Sequence, residues 1–274
     1  MADLSFEFFP PKTDEGSARL RLAWQALARL EPRFFSVTYG AGGSTRTRTL
    51  ETVQAIRGEG HDAAPHLSCI GASREELERT LDEYRSAGIR RLVALRGDLP
   101  SGMASAGELP HASDLVALIR RRAGDHFRIA VACYPEYHPQ ARSPAEDLRQ
   151  FKRKVDEGAD LAITQYFYNP DSYCRFVEAA RAAGIACPIV PGIMPIGNFS
   201  QLVRFSDVCG AEIPRWLRMK MESFGDDGES IRAFGIDAVS ALCERLLAEG
   251  APSLHFYTMN RADLTTEIVS RLRN

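Results

Sequence analysis

The sequence predicts an α/β protein built as a single (β/α)8 TIM barrel over residues 1–274. Runs rich in β-branched and aromatic residues alternate with segments of helical periodicity, a pattern typical of βα units around a parallel sheet. The chain has 274 residues, close to the roughly 250 residues of such a barrel. No linker rich in Pro, Gly or Ser interrupts the alternation, so we expect one domain.

Eight predicted strands follow one another with room for a helix after each. In chain order they are Ser5–Phe9, Phe34–Tyr39, Ala64–Ile70, Arg91–Leu95, Arg128–Tyr134, Leu161–Phe167, Pro188–Ile193 and Ser253–Thr258. Ser73 with Glu76 predicts a capping box, and Ser143 with Glu146 marks the start of another helix. The longer interval 194–249 predicts at least two helices, and thus an elaborated loop after the seventh strand.

Composition and charge limit the kinds of molecule that the protein is expected to bind. The chain is 45% hydrophobic with a formal net charge of −2, and its charges are interspersed, so we expect small molecules rather than nucleic acid or a membrane. The N-terminus lacks a leader pattern and no apolar run reaches the roughly 18 residues of a membrane span. We therefore expect a cytoplasmic protein. The six cysteines form no C-x-x-C pair and the histidines no H-E-x-x-H, so we expect neither a metal site nor a disulfide framework.

In a TIM barrel the active site lies at the C-terminal ends of the strands. That rule selects a mostly polar set: Glu7, Thr38, Tyr39, His66, Arg96, Gly97, Asp98, Tyr134 to His138, Gln165, Met194, Pro195, Asn260 and Arg261. Glu7 lies among phenylalanines, and desolvation there is expected to raise its pKa so that it holds a proton near neutrality. The alternative is a structural glutamate paired with an arginine, and Arg96 could likewise simply neutralise Asp98.

Two further patterns are less specific. The glycine-rich segment 39–45 matches neither the dinucleotide-binding nor the Walker pattern, so it predicts only a loop of close backbone approach. Asp147, Gln150 and Lys154 share one helix face. From the residues alone, a solvated surface is the more common explanation of such a row.

Eight segments together resemble the methylenetetrahydrofolate reductase family. They are Ser5–Lys12, Ser36–Ala41, Pro65–Ile70, Ala94–Asp98, Tyr134–Glu136, Thr164–Phe167, Pro191–Pro195 and His255–Arg261. The resemblance runs from residue 5 to about 271. It implies a (β/α)8 barrel that reduces 5,10-methylenetetrahydrofolate to 5-methyltetrahydrofolate for methionine synthesis, with FAD as cofactor and NADH or NADPH as co-substrate. It also implies a homo-oligomer, without the regulatory domain of the animal enzymes.

The resemblance assigns roles to residues by matching positions. FAD contacts are expected from Thr38, Tyr39, Ala41, His66, Arg96, Gly97, Asp98, Leu99, Tyr134, His138, Ala141, Asp147, Gln150, Arg153 and Lys154. Further flavin contacts are expected from His111 and Ala112, where His111 replaces a usual tyrosine. For the folate, Glu7 matches the general acid, Asp98 and Gln165 the pterin-binding residues, Gln201 and Phe205 a mobile loop, and Arg261 the residue facing the glutamate tail. The Asp147 face is thereby reassigned to ligand binding.

The implied mechanism is ping-pong. A nicotinamide reduces FAD and leaves, and the folate then occupies the same cleft. Glu7 protonates N10 while the charge of Asp98 stabilises the resulting cation. Two alternatives come from other classes: a flavin- or folate-binding barrel without turnover, and a lyase with a Schiff-base lysine. The lyase is disfavoured because no lysine lies near the end of a predicted strand.

Overall fold

The computed structural model describes residues 3–39, 43–97 and 107–273, and it has the predicted barrel architecture. Its strands are β1 (Asp3–Phe8), β2 (Phe34–Val37), β3 (Ala63–Ser68), β4 (Arg91–Leu95), β5 (Arg128–Cys133), β6 (Leu161–Thr164), β7 (Ile189–Val190), β8 (Gly192–Ile193) and β9 (Ser253–Tyr257). All recorded pairings are parallel, in the order β7-β6-β5-β4-β3-β2-β1-β9-β8. Since β7 and β8 are consecutive in the chain, the same segment forms both ends of the sheet and closes the barrel.

The seventh predicted strand, Pro188–Ile193, is not a single strand in the structure. Residues 188–193 form two short strands separated by Pro191, which has no N–H to donate to a neighbouring strand. Val190 pairs with Ile163 of β6, whereas Gly192 pairs with His255 of β9. The segment therefore changes partners at the proline, and this change joins the two edges of the sheet.

Ten helices surround the barrel in the described part of the chain. They are α1 (Asp14–Ala28), α2 (Gly43–Gly58), α3 (Arg74–Ser86), α4 (Ala112–Ala123), α5 (Pro144–Asp156), α6 (Pro170–Ala182), α7 (Phe199–Cys209), α8 (Arg215–Ser223), α9 (Gly228–Ala248) and α10 (Asp263–Leu272). The interval 194–249 thus contains three helices, which confirms the predicted elaboration. None of the described helices combines the length and the apolarity that a membrane crossing requires.

Local capping explains where these helices begin. The Ser73 hydroxyl accepts from the Glu76 N–H, and the Glu76 carboxylate accepts from the Ser73 N–H at 2.9 Å. This is the predicted capping box of α3. At α5, Ser143 accepts from the Glu146 N–H and a proline occupies the first turn. Both caps satisfy N–H groups that have no partner inside the helix, so the sequence signals act as expected.

The barrel interior contains a polar set of side chains and an apolar cluster. Alternate residues of β1, β2, β3 and β9 form a set that we call the polar column, in which Glu7 is partly exposed at 14% and the others are buried: Ser5, Glu7, Ser36, His66 and His255. Beside it lies an apolar cluster with members on β2 to β7, whose Phe34 ring stacks on His255: Phe34, Ala64, Val93, Ala130, Leu161, Ile163 and Val190. Buried polar groups cost stability unless they pair with one another. The polar column is therefore a feature that packing alone does not require.

Candidate active site

Two cavities meet at the C-terminal end of the barrel. The central pocket, about 360 Å³, is lined by Glu7, Thr38, Tyr39, His66, Tyr134, Gln165 and Phe205 among others. The side groove, about 340 Å³, is lined by Arg96, Gly97, His111, Ala112, Tyr134, His138, Ala141, Asp147, Gln150 and Lys154 among others. Leu95, Ala132 and Tyr134 line both cavities, so the two adjoin. Another cavity of about 380 Å³, between α1 and α2, contains none of the predicted site residues.

Lys154 is a partly buried cation of the side groove. Its Nζ donates to the Ala132 carbonyl oxygen at 2.6 Å, the one hydrogen bond of this ammonium among the described residues. Burial lowers the pKa of Lys154, while Cys133 and Asp147 act in the opposite direction. An ammonium carries three N–H donors, so this cation keeps donors for an anion bound in the groove. The Asp147 carboxylate on the same helix accepts from the His138 N–H at 3.0 Å and thereby fixes the loop after β5.

A glycine turn forms the opposite wall of the groove. Gly97 has a φ of +87°, and a Cβ placed there would lie 2.1 Å from the Ser68 hydroxyl oxygen. That hydroxyl donates to the Arg96 carbonyl at 2.7 Å and holds the turn in place. Arg96 in turn donates through Nη2 to Gln140 Oε1 at 2.6 Å. Only glycine lets the backbone follow this path, and the result is main chain exposed to a ligand at close range.

Glu7 is the acid of the central pocket, and its partners are histidines rather than an arginine. Its Oε2 atom lies 3.2 Å from His66 Nε2, at ion-pair distance but outside hydrogen-bond geometry, and 3.4 Å from His255 Nε2. The Ser36 hydroxyl donates to the same oxygen at 3.4 Å. Burial raises the pKa of Glu7, but the two imidazoles together outweigh burial and lower it to about 2. The expectation of a raised pKa is therefore wrong, because it counted the phenylalanines and missed these histidines.

Other residues of the central pocket contribute the Gln165 amide and aromatic walls. Gln165 Oε1 accepts from the Tyr166 N–H at 3.0 Å, which leaves its NH2 group available as a donor. The Tyr257 hydroxyl donates to the Thr164 carbonyl at 2.7 Å, and a Cβ at Gly192 would come within 2.6 Å of the Tyr257 ring. Phe205 of α7 contributes an aromatic wall. In the described part of the chain the pocket thus combines the Glu7 carboxylate, the Gln165 amide, the His66 imidazole and aromatic surfaces.

The structure does not bring every predicted residue to the two cavities. Arg153, Gln201 and Arg261 line neither cavity and are exposed. Arg261 instead pairs with Asp263 at 2.8 Å. Ala41, Asp98 and Leu99 lie outside the described residues, so their predicted roles remain predictions.

Comparisons with known proteins show the family to which the chain belongs. The family model described as methylenetetrahydrofolate reductase matches residues 2–273. The chain belongs to the methylenetetrahydrofolate reductase family. It is 43% identical over 271 residues to the 5,10-methylenetetrahydrofolate reductase of Salmonella typhimurium, covering 98% of this chain and 90% of that enzyme. The Escherichia coli reductase has the same identity and coverage.

A plant relative and two solved structures extend the comparison. Methylenetetrahydrofolate reductase (NADH) 1 of Arabidopsis thaliana is 41% identical over 270 residues, which cover 93% of this chain and 46% of that longer protein. A Clostridium thermocellum protein, described as binding two copies of 5-methyl-5,6,7,8-tetrahydrofolic acid, has a TM-score of 0.69 at 16% identity and covers 98% and 93% of the two chains. A phosphonopyruvate hydrolase with bound oxalate and Mg²⁺ has a TM-score of 0.58 at 11% identity, covering 99% of this chain and 80% of that one. These solved structures show the shared fold.

Sequence reasoning missed several residues that shape this reductase-family site. His255, Ser36 and Ser5 belong to the polar column but precede the strand ends on which the prediction concentrated. Their signal is the period of two along a strand, because Ser5 and Glu7 face the same side of β1. The strand-end rule selects Asn260 but predicts no role for its side chain. Its side chain accepts from the Phe9 N–H at 2.8 Å and donates to the Phe9 carbonyl at 3.0 Å, which holds the segment after β1.

Proposed function

We propose that this protein reduces 5,10-methylenetetrahydrofolate to 5-methyltetrahydrofolate, with FAD as cofactor and NADH or NADPH as the electron donor. The observation that carries the proposal is the junction of the two cavities at Tyr134. One cavity has the features of a site for a phosphate-bearing cofactor, and the other holds an acid and an amide beside it. Following the family resemblance, we also propose that the protein is a homo-oligomer and that it is cytoplasmic.

The side groove fits the diphosphate part of FAD. Lys154 and Arg96 would meet the phosphates, since charge-assisted hydrogen bonds are the strong ones. The main chain at Gly97 can approach a cofactor closely because no Cβ intervenes. Asp147 and Gln150 would meet ribose or adenine. Bound FAD supplies the two-electron acceptor and donor chemistry that amino acid side chains lack.

The central pocket fits the pterin of the folate. The Gln165 amide would bind the polar edge of the pterin, and Phe205 would shift between the flat nicotinamide and the bulkier folate. Glu7 would give its proton to N10 as the bond between N10 and the methylene carbon breaks. By the family resemblance, the negative charge of Asp98 would stabilise the cation that forms.

The experiment is an anaerobic titration of the purified flavoprotein followed at the flavin absorbance band. NADH or NADPH should bleach the yellow colour, and methylenetetrahydrofolate should then restore it with formation of methyltetrahydrofolate. A protein that binds flavin or folate without turnover would not bleach, or would not recover its colour with the folate. Either result would refute the proposed activity. Running the two donors side by side assigns the preferred nicotinamide.

A further inference from the structure

The polar column connects the central pocket to the opposite end of the barrel. His255 Nε2 faces Glu7, and on the other side of the same ring Nδ1 lies 2.7 Å from the Ser5 hydroxyl oxygen. This contact follows from the register, in which Ser5 of β1 pairs with His255 of β9. Both residues are buried, and His255 is fully so. A continuous line of polar atoms therefore runs from Glu7 away from the pocket.

The line ends at a second opening. Ser5 borders a cavity of about 90 Å³ at the N-terminal end of the strands, here called the floor cavity, together with Phe34, Ser253 and three arginines. A cavity needs roughly 10–15 Å³ for a water molecule, so several waters fit. Arg33 and Arg91 are paired with Asp3 and Asp62, and Arg128 also borders the cavity. These cations disfavour a hydronium ion inside the cavity. A proton would therefore cross it by a concerted shift of hydrogen bonds along neutral waters.

The proposed reaction, on which this inference rests, consumes one proton per turnover. A hydride reaches the methylene carbon and a proton reaches N10, so the nicotinamide leaves oxidised and one proton must come from solvent. Folate and flavin bound over the central pocket would exclude water from Glu7 on that side. The acid must then be recharged by another route, or only after product leaves.

We propose that Ser5 and His255 relay this proton to Glu7 from water in the floor cavity, at the opposite end of the barrel from the substrate. Glu7 gives its proton to N10, His255 gives its Nε2 proton to the Glu7 carboxylate, and the Ser5 hydroxyl protonates His255 Nδ1. A water of the floor cavity then returns a proton to the Ser5 oxygen and receives one from bulk solvent in the same shift of hydrogen bonds. A half-turn of the His255 ring between turnovers brings its N–H back to the side of Glu7. His255 and Ser5 touch no substrate in this scheme, so they act as relay residues behind the acid.

The first test compares Ser5→Ala with Ser253→Ala. Both changes remove a hydroxyl from the border of the floor cavity, but of these two serines it is Ser5 whose hydroxyl lies at hydrogen-bond distance from His255. In stopped-flow experiments, Ser5→Ala should slow flavin reoxidation by methylenetetrahydrofolate by about tenfold or more, within the range of general acid catalysis. Its solvent isotope effect in D2O should rise, while bleaching by NADH stays as in wild type. Ser253→Ala should match wild type in both half-reactions. A wild-type rate and isotope effect in Ser5→Ala would overturn the relay.

A second measurement does not depend on turnover. The ring N–H of His255, labelled with ¹⁵N-histidine, should exchange with solvent as fast with 5-methyltetrahydrofolate on the flavoprotein as without it. Ser5→Ala should slow that exchange, and His255→Gln identifies the signal by removing it. Exchange that stops when the folate binds would show entry through the mouth and refute the proposal, even if the variants fold poorly. If wild type bleaches but never reoxidises with the folate, the proposed function fails, whereas the exchange result still decides the proton path.

Discussion

Replacing Lys154 with methionine separates its role as a phosphate ligand from its role in packing. The substitution keeps a long unbranched side chain and removes the charge, which in the structure has one hydrogen bond, to the Ala132 carbonyl. A charge-assisted hydrogen bond contributes about 1.5–3 kcal/mol. If Lys154 binds the FAD diphosphate, its loss should therefore weaken FAD binding by about tenfold to 150-fold.

The assay is titration of the apoprotein with FAD, followed by quenching of flavin fluorescence. Lys152→Met is the matched control, because Lys152 lies on the same helix, pairs with Asp156 at 2.7 Å and does not line the side groove. We expect the control to bind FAD within about twofold of wild type, since exposed ion pairs are worth little. Thermal melts of the two apoproteins keep folding defects apart from binding. Wild-type FAD affinity in Lys154→Met would return this helix face to a structural role.

The sign of the pH effect gives a second readout for the same residue. Burial lowers the pKa of Lys154 in the folded apoprotein. At a pH between that lowered pKa and the ordinary value of 10.5, Lys154 therefore binds more protons in the unfolded chain than in the folded one. The apoprotein consequently gains stability as the pH rises through this window. A diphosphate beside the ammonium favours its charged form. Binding of FAD in that pH window should therefore take up a proton in wild type, and calorimetry in buffers of different ionisation enthalpy should find less uptake in Lys154→Met.

The remaining predictions concern the central pocket. Phe205→Ala should change the nicotinamide and folate half-reactions by different factors in stopped-flow measurements; equal factors, or no change, would make Phe205 a packing residue. Glu7→Gln should keep flavin reduction within about tenfold of wild type but slow reoxidation by the folate by about 10²–10⁴-fold; wild-type reoxidation would remove Glu7 as the acid. Because the folded pKa of Glu7 is about 2 against an ordinary 4.5, its stabilising contribution is complete above pH 4.5 and is lost as pH falls toward 2. Urea unfolding at pH 6 and pH 3 should therefore show a smaller acid loss in Glu7→Gln, and an equal loss would mean that the histidines do not hold the carboxylate.

Most of the fold could be predicted because its signals are local. Capping residues such as Ser73 and Ser143 act within one turn, and the strand runs stand out by composition. Several strand ends could not be predicted closely. Polar residues such as Thr38 and Gln165 belong to the predicted strands, but the strands end before them, at Val37 and Thr164. Hydrogen bonding to a neighbouring strand decides such an end, and a single sequence does not contain that neighbour.

The site was predictable in its membership more than in its electrostatics. The rule about strand ends and the family resemblance both selected Glu7, but the neighbours of its carboxylate come from β2, β3 and β9. Those contacts depend on how the barrel closes. A prediction from nearby phenylalanines therefore gave the wrong direction for the pKa, although the residue and its burial were as expected.

The two adjoining cavities carry different chemistry on different elements. The side groove is built largely on β4, β5 and α5, where Lys154 is a partly buried cation. Glu7 lies on β1, and the partners of its carboxylate come from β2, β3 and β9. Tyr134 lies where the two cavities adjoin. The two cations proposed to bind the FAD diphosphate, Lys154 and Arg96, thus lie on other elements than the histidines that lower the pKa of Glu7, so a change in either set should leave the other largely unaltered. Lys154→Met and Ser5→Ala together test that independence: their effects on the folate half-reaction at saturating FAD should multiply, because residues without shared partners contribute additively in free energy.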